Sequence, residues 1–441
     1  MRFTTAELAA HVGGRLVGPD VAVDGASIDS RSLQPGQLFV PLVAARDGHR
    51  YIAGALEAGA AAYVTQRQPV GGSAVVVDDT AAALLDLGVL ARERVGGAVG
   101  ITGSVGKTTT KDLLYACLSS VFASAASAGS FNNELGLPLT LVNAPRETRW
   151  VVLEMGARGP GHIARLAEVG RPSVGVVTRV AKAHVEFFGD LGGVARAKGE
   201  LIEALPRSGV AVLNLDDPLV AAMASVSPCP VLGYGIETAT ADVRAEGVTL
   251  SEELRPRFRL CTPWGSADVE LSLHGAQQVP NALAAAGAAL WCGVPFDALV
   301  PALAQATGSP WRMEVHHIAG GPLLVADCYN ANPSSTEAAL RSLASAGTGR
   351  RVALLGLMAE LGTETGPEHA GMARLGHALG IEVVGYQTDL YGPTRVDDAD
   401  SALDLLRALG PGDAGLVKGS RVARLEKVVE RLVAQPPSAG T

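Results

Sequence analysis

The chain is predicted to be an α/β protein of three domains, on three observations. Its 441 residues exceed one ordinary core, and at roughly 150 residues per domain they make about three. Apolar residues are 48 % and charged residues 18 % of the total, so every domain can bury a core and disorder is not expected. Short β-branched runs alternate with helical stretches, the pattern of βαβ units around a mainly parallel sheet.

The elements follow in order. MRFTTAELAAHVGG has no apolar core of a signal peptide and reads as a short helix capped by Thr4 or Thr5, with Glu7 in its first turn. Residues 1–95 alternate short strands, such as 37–42 and 74–77, with turns and one or two helices. From residue 98 a β run leads into GSVGKTTTK and then a helical pattern over 111–122. Further strands are expected at 150–153, 174–178 and Val210–Asn214, with helices at 162–168 and 191–205 between them. Residues 236–274 look β-rich with weak periodicity, and a helix is expected over 281–292. Gly, Ser and Pro at 308–312 mark a linker. Four β runs follow, at Leu323–Asp327, 352–356, Glu382–Tyr386 and 415–418, separated by helices. The expected domains are therefore 1–95, 96–312 and 313–441, with a disordered tail, QPPSAGT, and no internal repeat.

Composition excludes several classes. The net charge is −8 with both signs mixed, which argues against a nucleic-acid or anionic-membrane surface. No run of about 18 uncharged apolar residues occurs, so no membrane insertion is expected. The five cysteines are dispersed without a CxxC pair and read as reduced thiols in a cytosolic, cytoplasmic protein.

The strongest local signal is GITGSVGKTTT, residues 100–110. A Gly-rich loop between strand and helix turns backbone N–H groups toward an anion. Lys107 adds a charge for the β/γ-phosphates, and the Thr108 hydroxyl suits Mg²⁺. The spacing departs from GxxxxGK[ST] because the first glycine is Gly100, one residue early. The plainer alternative is a glycine turn that packs a helix on a sheet; GK-TTT with both flanks in place favours phosphate. Glu154 ends the apolar strand in WVVLEMG, where an acid beside a P-loop strand can hold Mg²⁺. By spacing alone His184 reads as a structural or exposed histidine, and Lys198 as a lysine on a solvated helix face.

TGSVGKTTTK, SFNNELGLPLT, VLEMGA, AHVEFFG, ARAKGE, LNLDD, NALAAAGAAL, WRMEV, DCYNANPSS, LGLMAELG and VKGSR occur in this order over nearly the whole chain. Together they resemble the Mur ligase family. DCYNANPSS and VKGSR favour its D-alanyl-D-alanine-adding branch, and DSRSLQPGQLFVPL and DGHRYI resemble that branch's UDP-binding domain. The resemblance implies an N-terminal α/β UDP-binding domain, a central P-loop ATPase-like parallel sheet and a C-terminal Rossmann-like domain. It implies ATP-dependent joining of D-Ala-D-Ala to UDP-MurNAc-tripeptide through an acyl phosphate, by a monomer using two Mg²⁺ ions.

The resemblance also assigns roles. Gly103, Ser104, Gly106, Lys107, Thr108 and Thr109 cradle ATP, Asn281 contacts adenine, and Arg312 sits at the interdomain linker near the phosphates. Asp327, Tyr329, Asn330 and Asn332 form a nucleotide-facing loop. Thr108, Glu154, His184 and Lys198 hold the metals, Lys198 as a carbamate. Asn132 and Asn133 lie near substrate and phosphates; Ser30, Arg31 and His49 among UDP contacts; Lys418 and Ser420 on the dipeptide side. Departures from the family pattern are Val105 in the loop, Gln277 and Gln278 before Asn281, and the added charges Arg179 and Lys182, expected near the metals. A sister ligase with another amine and a P-loop ATPase that switches partners remain as other readings.

Overall fold

The computed structural model describes residues 1–181, 188–318 and 321–434. Three α/β units follow one another, each around its own sheet. In the first, five strands lie in the order Arg15–Val17, Ala74–Val76, Ala62–Thr65, Leu38–Phe39, Ala26–Ser27, parallel except for the first pair. Thr4 caps the helix Thr5–His11 by accepting the Glu7 N–H at 3.2 Å. The strand expected over 37–42 is shorter, because Leu42 leaves the sheet to accept the Gly48 N–H at 2.8 Å.

The central unit has nine strands. Six parallel ones run in the order Val231–Gly235, Val210–Asn214, Val174–Val177, Gly97–Thr102, Trp150–Glu154, Ser124–Ala126. The β-rich segment continues this sheet: Val243–Leu250 pairs parallel with its edge, then Pro256–Thr262 and Gly265–Glu270 add antiparallel strands. A register shift between Glu246 and Thr249 breaks the alternation there, which is why the periodicity is faint in sequence. Helices Lys107–Ser119 and Gln278–Trp291 pack together on one face through Leu113, Leu114, Cys117, Ala282 and Ala286, all buried. The alanines let the two backbones approach closely.

On the opposite face the cores of the first and central units are continuous. Leu84 and Leu87 of helix Thr80–Arg92 join Leu137, Leu153 and Leu166 in one cluster. A Cβ at Gly88 would lie 2.6 Å from the Pro138 Cβ, so the helix crossing depends on that glycine. Asn143 completes the join, accepting the Ala26 N–H and donating to the Ala26 carbonyl, both at 2.9 Å.

The third unit has six strands in the order Glu314–His317, Leu323–Asp327, Ala414–Lys418, Arg351–Leu355, Glu382–Tyr386, Arg395–Val396; only the first pair is antiparallel. Helices cover both faces, Pro333–Ala344 and Thr365–Ala378 on one, Ala399–Arg407 and Glu426–Val433 on the other, as a Rossmann-like unit requires. Leu254, at the tip of the central unit's hairpin, is buried in this core. Among the described residues no helix is long and apolar enough to cross a membrane.

Candidate active site

Strand Gly97–Thr102 lies between Trp150–Glu154 and Val174–Val177, all parallel, so three carboxyl ends converge. Open α/β sheets bind ligands at that edge. Gly103 has φ +151°, and a Cβ there would fall 1.8 Å from the Thr178 Oγ1. Gly106 has φ +85°, with the Asn281 Oδ1 2.3 Å from where a Cβ would stand. The neighbouring strand's end shapes the loop: Thr178 Oγ1 donates to the Val105 carbonyl at 2.6 Å, and the Ser104 N–H to the Arg179 carbonyl at 2.7 Å. The Val105 side chain enters neither contact.

The helix after the loop begins at Lys107, four residues before the expected start. Three β-branched threonines disfavour helix in sequence terms. Here packing outweighs that preference, since Thr108, Thr109 and Thr110 are all buried. The earlier start puts the Lys107, Thr108 and Thr109 amides in the first turn, where N–H groups lack intrahelical acceptors and the dipole favours an anion.

Acid, hydroxyl and ammonium groups meet just beyond. Glu154 is buried; its Oε2 accepts the Thr108 hydroxyl and its Oε1 the Asn132 amide, each at 2.8 Å. This paired hydroxyl and carboxylate is an all-oxygen donor set, which fits a hard cation such as Mg²⁺. Lys107 Nζ donates to the Gly103 carbonyl at 2.8 Å, and burial lowers its pKa while Glu154 supports its charge. Lys198, on helix Leu191–Glu203, is not on a solvated face. It is 6 % exposed, and burial, aided by the charge of Lys107, holds its ammonium at a pKa of about 7. His184 and Lys182 lie outside the described residues.

Two clefts meet on the phosphate loop. One, of about 730 Å³, is lined by Gly106, Thr109, Asn281, Gln277, Gln278 and Asp217. Asn281 donates to the Gln278 Oε1 at 2.9 Å, so the two are linked in one wall. Arg179 lines this cleft. The other cleft, of about 530 Å³, is lined by Lys107, Thr108, Asn132, Asn133, Glu154 and Lys198 from the central unit, and by Asn330, Asn332, Lys418 and Ser420 from the third. Arg312 and Asp327 line both.

The third unit's wall is held from within. Lys418 is 1 % exposed, its Nζ 2.5 Å from the Asp327 Oδ2 and 3.1 Å from the Asn330 carbonyl. It fixes the loop between strand Leu323–Asp327 and helix Pro333–Ala344, and that loop carries Tyr329. Lys418→Met should therefore lower stability by about 3–5 kcal/mol, because the Asp327 carboxylate loses its cation while still largely buried. Chemical denaturation measures this; a loss under about 1 kcal/mol would contradict the clamp. Ser420 accepts the Ala359 N–H at 2.9 Å, and Asn332 caps helix Pro333–Ala344. Arg312 lies over the Tyr329 ring at 4.3 Å, and the Tyr329 hydroxyl meets that of Ser130 across the units.

The other sequence candidates also make contacts within the protein. His49 is buried, with Nδ1 2.8 Å from the Asp47 Oδ1 and Nε2 accepting the Gln66 N–H at 3.1 Å, so both ring nitrogens are occupied within the first unit. Arg31 is paired with Asp29 at 2.6 Å on the surface, and neither it nor Ser30 lines the two clefts. Asn133 Oδ1 accepts the Gly136 N–H at 2.9 Å, opening helix Gly136–Val142. Sequence reasoning passed over Lys111 and Asp112. Lys111 Nζ binds the Ser127 and Gly129 carbonyls at 2.8 and 3.0 Å, and Asp112 accepts the Ser309 hydroxyl at 2.7 Å, tying the linker to the phosphate helix. Their position one turn after Lys107 was the available signal.

Comparison with known proteins agrees with this geometry. Residues 101–289 match the Mur ligase middle domain, and residues 311–421 the Mur ligase, glutamate ligase domain. The UDP-N-acetylmuramoyl-tripeptide–D-alanyl-D-alanine ligase of Mycobacterium tuberculosis is 40 % identical, with 98 % of each chain covered. Its counterpart from Escherichia coli is 35 % identical over 97 % of this chain and 98 % of its own. MurF from Acinetobacter baumannii superposes with a TM-score of 0.89 at 28 % identity over 99 % of each chain. MurF from Thermotoga maritima in complex with ADP gives 0.82 at 29 %, over 93 % and 97 %. The chain belongs to the Mur ligase family.

Proposed function

We propose that this protein is an ATP-dependent ligase that joins D-alanyl-D-alanine to UDP-MurNAc-tripeptide in peptidoglycan precursor synthesis. The observation that carries the reading is the meeting of two clefts on one phosphate loop, the second walled by residues of two units. One suits a nucleotide. The other brings Lys107, Glu154 and Lys198 to where an acyl group and an amine would meet. The near-full-length likeness to D-alanyl-D-alanine ligases supports that choice of substrates.

A carboxylate is a poor acyl donor because oxide would be its leaving group. Transfer of the γ-phosphoryl group to the tripeptide's terminal carboxylate gives an acyl phosphate; the dipeptide amine attacks it, and phosphate leaves with the C–O electron pair. Lys107 and the first-turn amides neutralise charge on the transferring group. Thr108 and Glu154 would hold Mg²⁺, with Lys198 as a carbamate and His184 completing sites for two ions. These ions supply charge neutralisation on the phosphoryl oxygens. The low pKa of Lys198 supports the carbamate, because only a neutral amine adds to CO₂, releasing a proton. We further propose that it acts as a monomer in the cytoplasm.

Water would destroy the acyl phosphate, so the third unit must close over the site before chemistry. Arg312, at the linker and on both clefts, is placed to couple closure to phosphate. Arg312→Ala should lower kcat about 10- to 100-fold, the scale of losing a charged contact made in the transition state, and leave UDP-substrate affinity within about threefold. Equal loss in both would remove it from closure.

The test of function is phosphate release from ATP and Mg²⁺ with paired UDP-MurNAc-tripeptides and amines, with product mass read in parallel. Release needing both the tripeptide and D-Ala-D-Ala, with the pentapeptide mass, is the expected result. Release with another amine moves the protein to a sister reaction. Release indifferent to every acyl substrate leaves an ATPase.

A further inference from the structure

A second lysine stands one turn after Lys107 on the phosphate helix, and the mechanism above makes no use of it. Residues three and four apart share a helix face, so Lys111 stands beside Lys107 and Thr108. It lines neither cleft. It is 3 % exposed, and its ammonium has three partners for its three protons. These are the Ser127 carbonyl at 2.8 Å, the Gly129 carbonyl at 3.0 Å and the Asp112 Oδ1 at 2.9 Å. The other oxygen of Asp112 accepts the Ser309 N–H at 2.9 Å and the Ser309 hydroxyl at 2.7 Å.

The segment that Lys111 grips wraps around Glu154. At its start the Ser127 Oγ accepts the Glu154 N–H at 3.2 Å. At its end Asn132 donates its side-chain amide to the Glu154 Oε1 at 2.8 Å, and its carbonyl accepts the Gly156 N–H at 2.7 Å. Thr108, on the helix itself, donates to the remaining oxygen of Glu154. One buried ion pair therefore ties the phosphate helix both to the loop that orients the acid and to the linker, three residues before Arg312. Stability alone does not account for such a pair, because both ions must be desolvated and apolar residues of similar volume commonly serve as well.

We infer that Lys111, paired with Asp112, is a positioning residue for phosphoryl transfer: it holds the 127–132 loop so that Asn132 keeps the Glu154 carboxylate aimed at magnesium. The inference rests on the ligase reading above. Without the ammonium the loop loses its grip on the helix, and Glu154 loses the bond that fixes its carboxylate. Nucleotide would still bind through the first-turn amides and Lys107, with the metal held less firmly.

The experiment compares the wild-type chain with Lys111→Arg and with the double variant Lys111→Met/Asp112→Asn, which leaves no buried charge unpaired. Calorimetry of ADP with and without Mg²⁺ reads the gain in affinity that the metal gives, apart from turnover. The double variant should lose about tenfold or more of that gain, and its kcat should fall about 10- to 100-fold, the scale of removing support behind a metal ligand. Its affinities for UDP-tripeptide and for ADP without Mg²⁺ should stay within about threefold, which also shows that it is folded. Lys111→Arg, which keeps a cation against Asp112, should retain more of the gain. Adding Asn132→Ala to the double variant should lower kcat little beyond Asn132→Ala alone, because both act through Glu154. A magnesium gain equal to the wild type's, at whatever kcat, would overturn the inference, as would losses that multiply. Failure of the ligase reading looks different: the wild type itself would then form no product with D-Ala-D-Ala, while the ADP measurement would still report on Lys111.

Discussion

Lys198→Ala is expected to cut ligase turnover by about a thousandfold or more while UDP-substrate binding persists. The magnitude is that of losing a preorganised charge partner of a transferring phosphoryl group. The argument starts from burial. An ammonium at this position would be desolvated and would face the charge of Lys107, and both effects push its pKa down to about 7. A lysine there is a poor cation and a poor metal ligand. As a carbamate it becomes an anion with two oxygens, which attracts Lys107 and complements the Thr108 and Glu154 oxygens. Two readouts separate this from a structural role. Acetate or another short carboxylic acid should restore part of the activity of the alanine variant by placing a carboxylate in the space left. In the wild type, under limiting CO₂, activity should fall as pH drops through 7, because at pH 6 only about one amine in ten is neutral. Wild-type turnover in the alanine variant would end the carbamate proposal, and so would pH-independent activity with no rescue.

Local patterns reached much of this architecture. Val210–Asn214, Leu323–Asp327 and Glu382–Tyr386 are strands as predicted, because buried parallel strands read as continuous apolar runs. The three-domain α/β order is likewise visible in the alternation of strands and helices. Features set by tertiary contact were not legible. The helix start at Lys107 runs against the propensity of three threonines and is fixed by their burial. Lys198 sits at a helical position that spacing assigns to solvent, and only the packing of helix Leu191–Glu203 against the sheet puts it inside. His49, in a motif that resembles a UDP contact, turns inward to Asp47 and Gln66, a fact no spacing encodes. Lys418 reads as a cation for substrate until its distance to Asp327 is known. Charge in a sequence shows what a residue can hold; burial and partners decide whether it is free to do so.

Lys107→Ala carries the other large effect, a fall in kcat/KM for ATP of about a thousandfold or more. Its Nζ rests on the Gly103 carbonyl of its own loop, an arrangement that keeps the ammonium in the loop's concavity before nucleotide arrives. Burial lowers its pKa, Glu154 opposes that fall, and Arg312 adds to it. An incoming triphosphate brings several negative charges to the same place, so the proton is held more firmly once ATP is bound and the ammonium can follow charge onto the transferring phosphoryl oxygens. Arginine should not replace it: the larger planar group would have to fit where the compact ammonium now rests on the Gly103 carbonyl. Lys107→Arg is therefore expected to recover less than about a tenth of wild-type kcat. UDP-substrate affinity, measured by calorimetry without ATP, should be unchanged in both variants, because no bond from Lys107 reaches the first unit. Turnover within about tenfold of wild type in Lys107→Ala would mean that the first-turn amides alone carry the phosphate, and the role given to the ammonium would have to be abandoned.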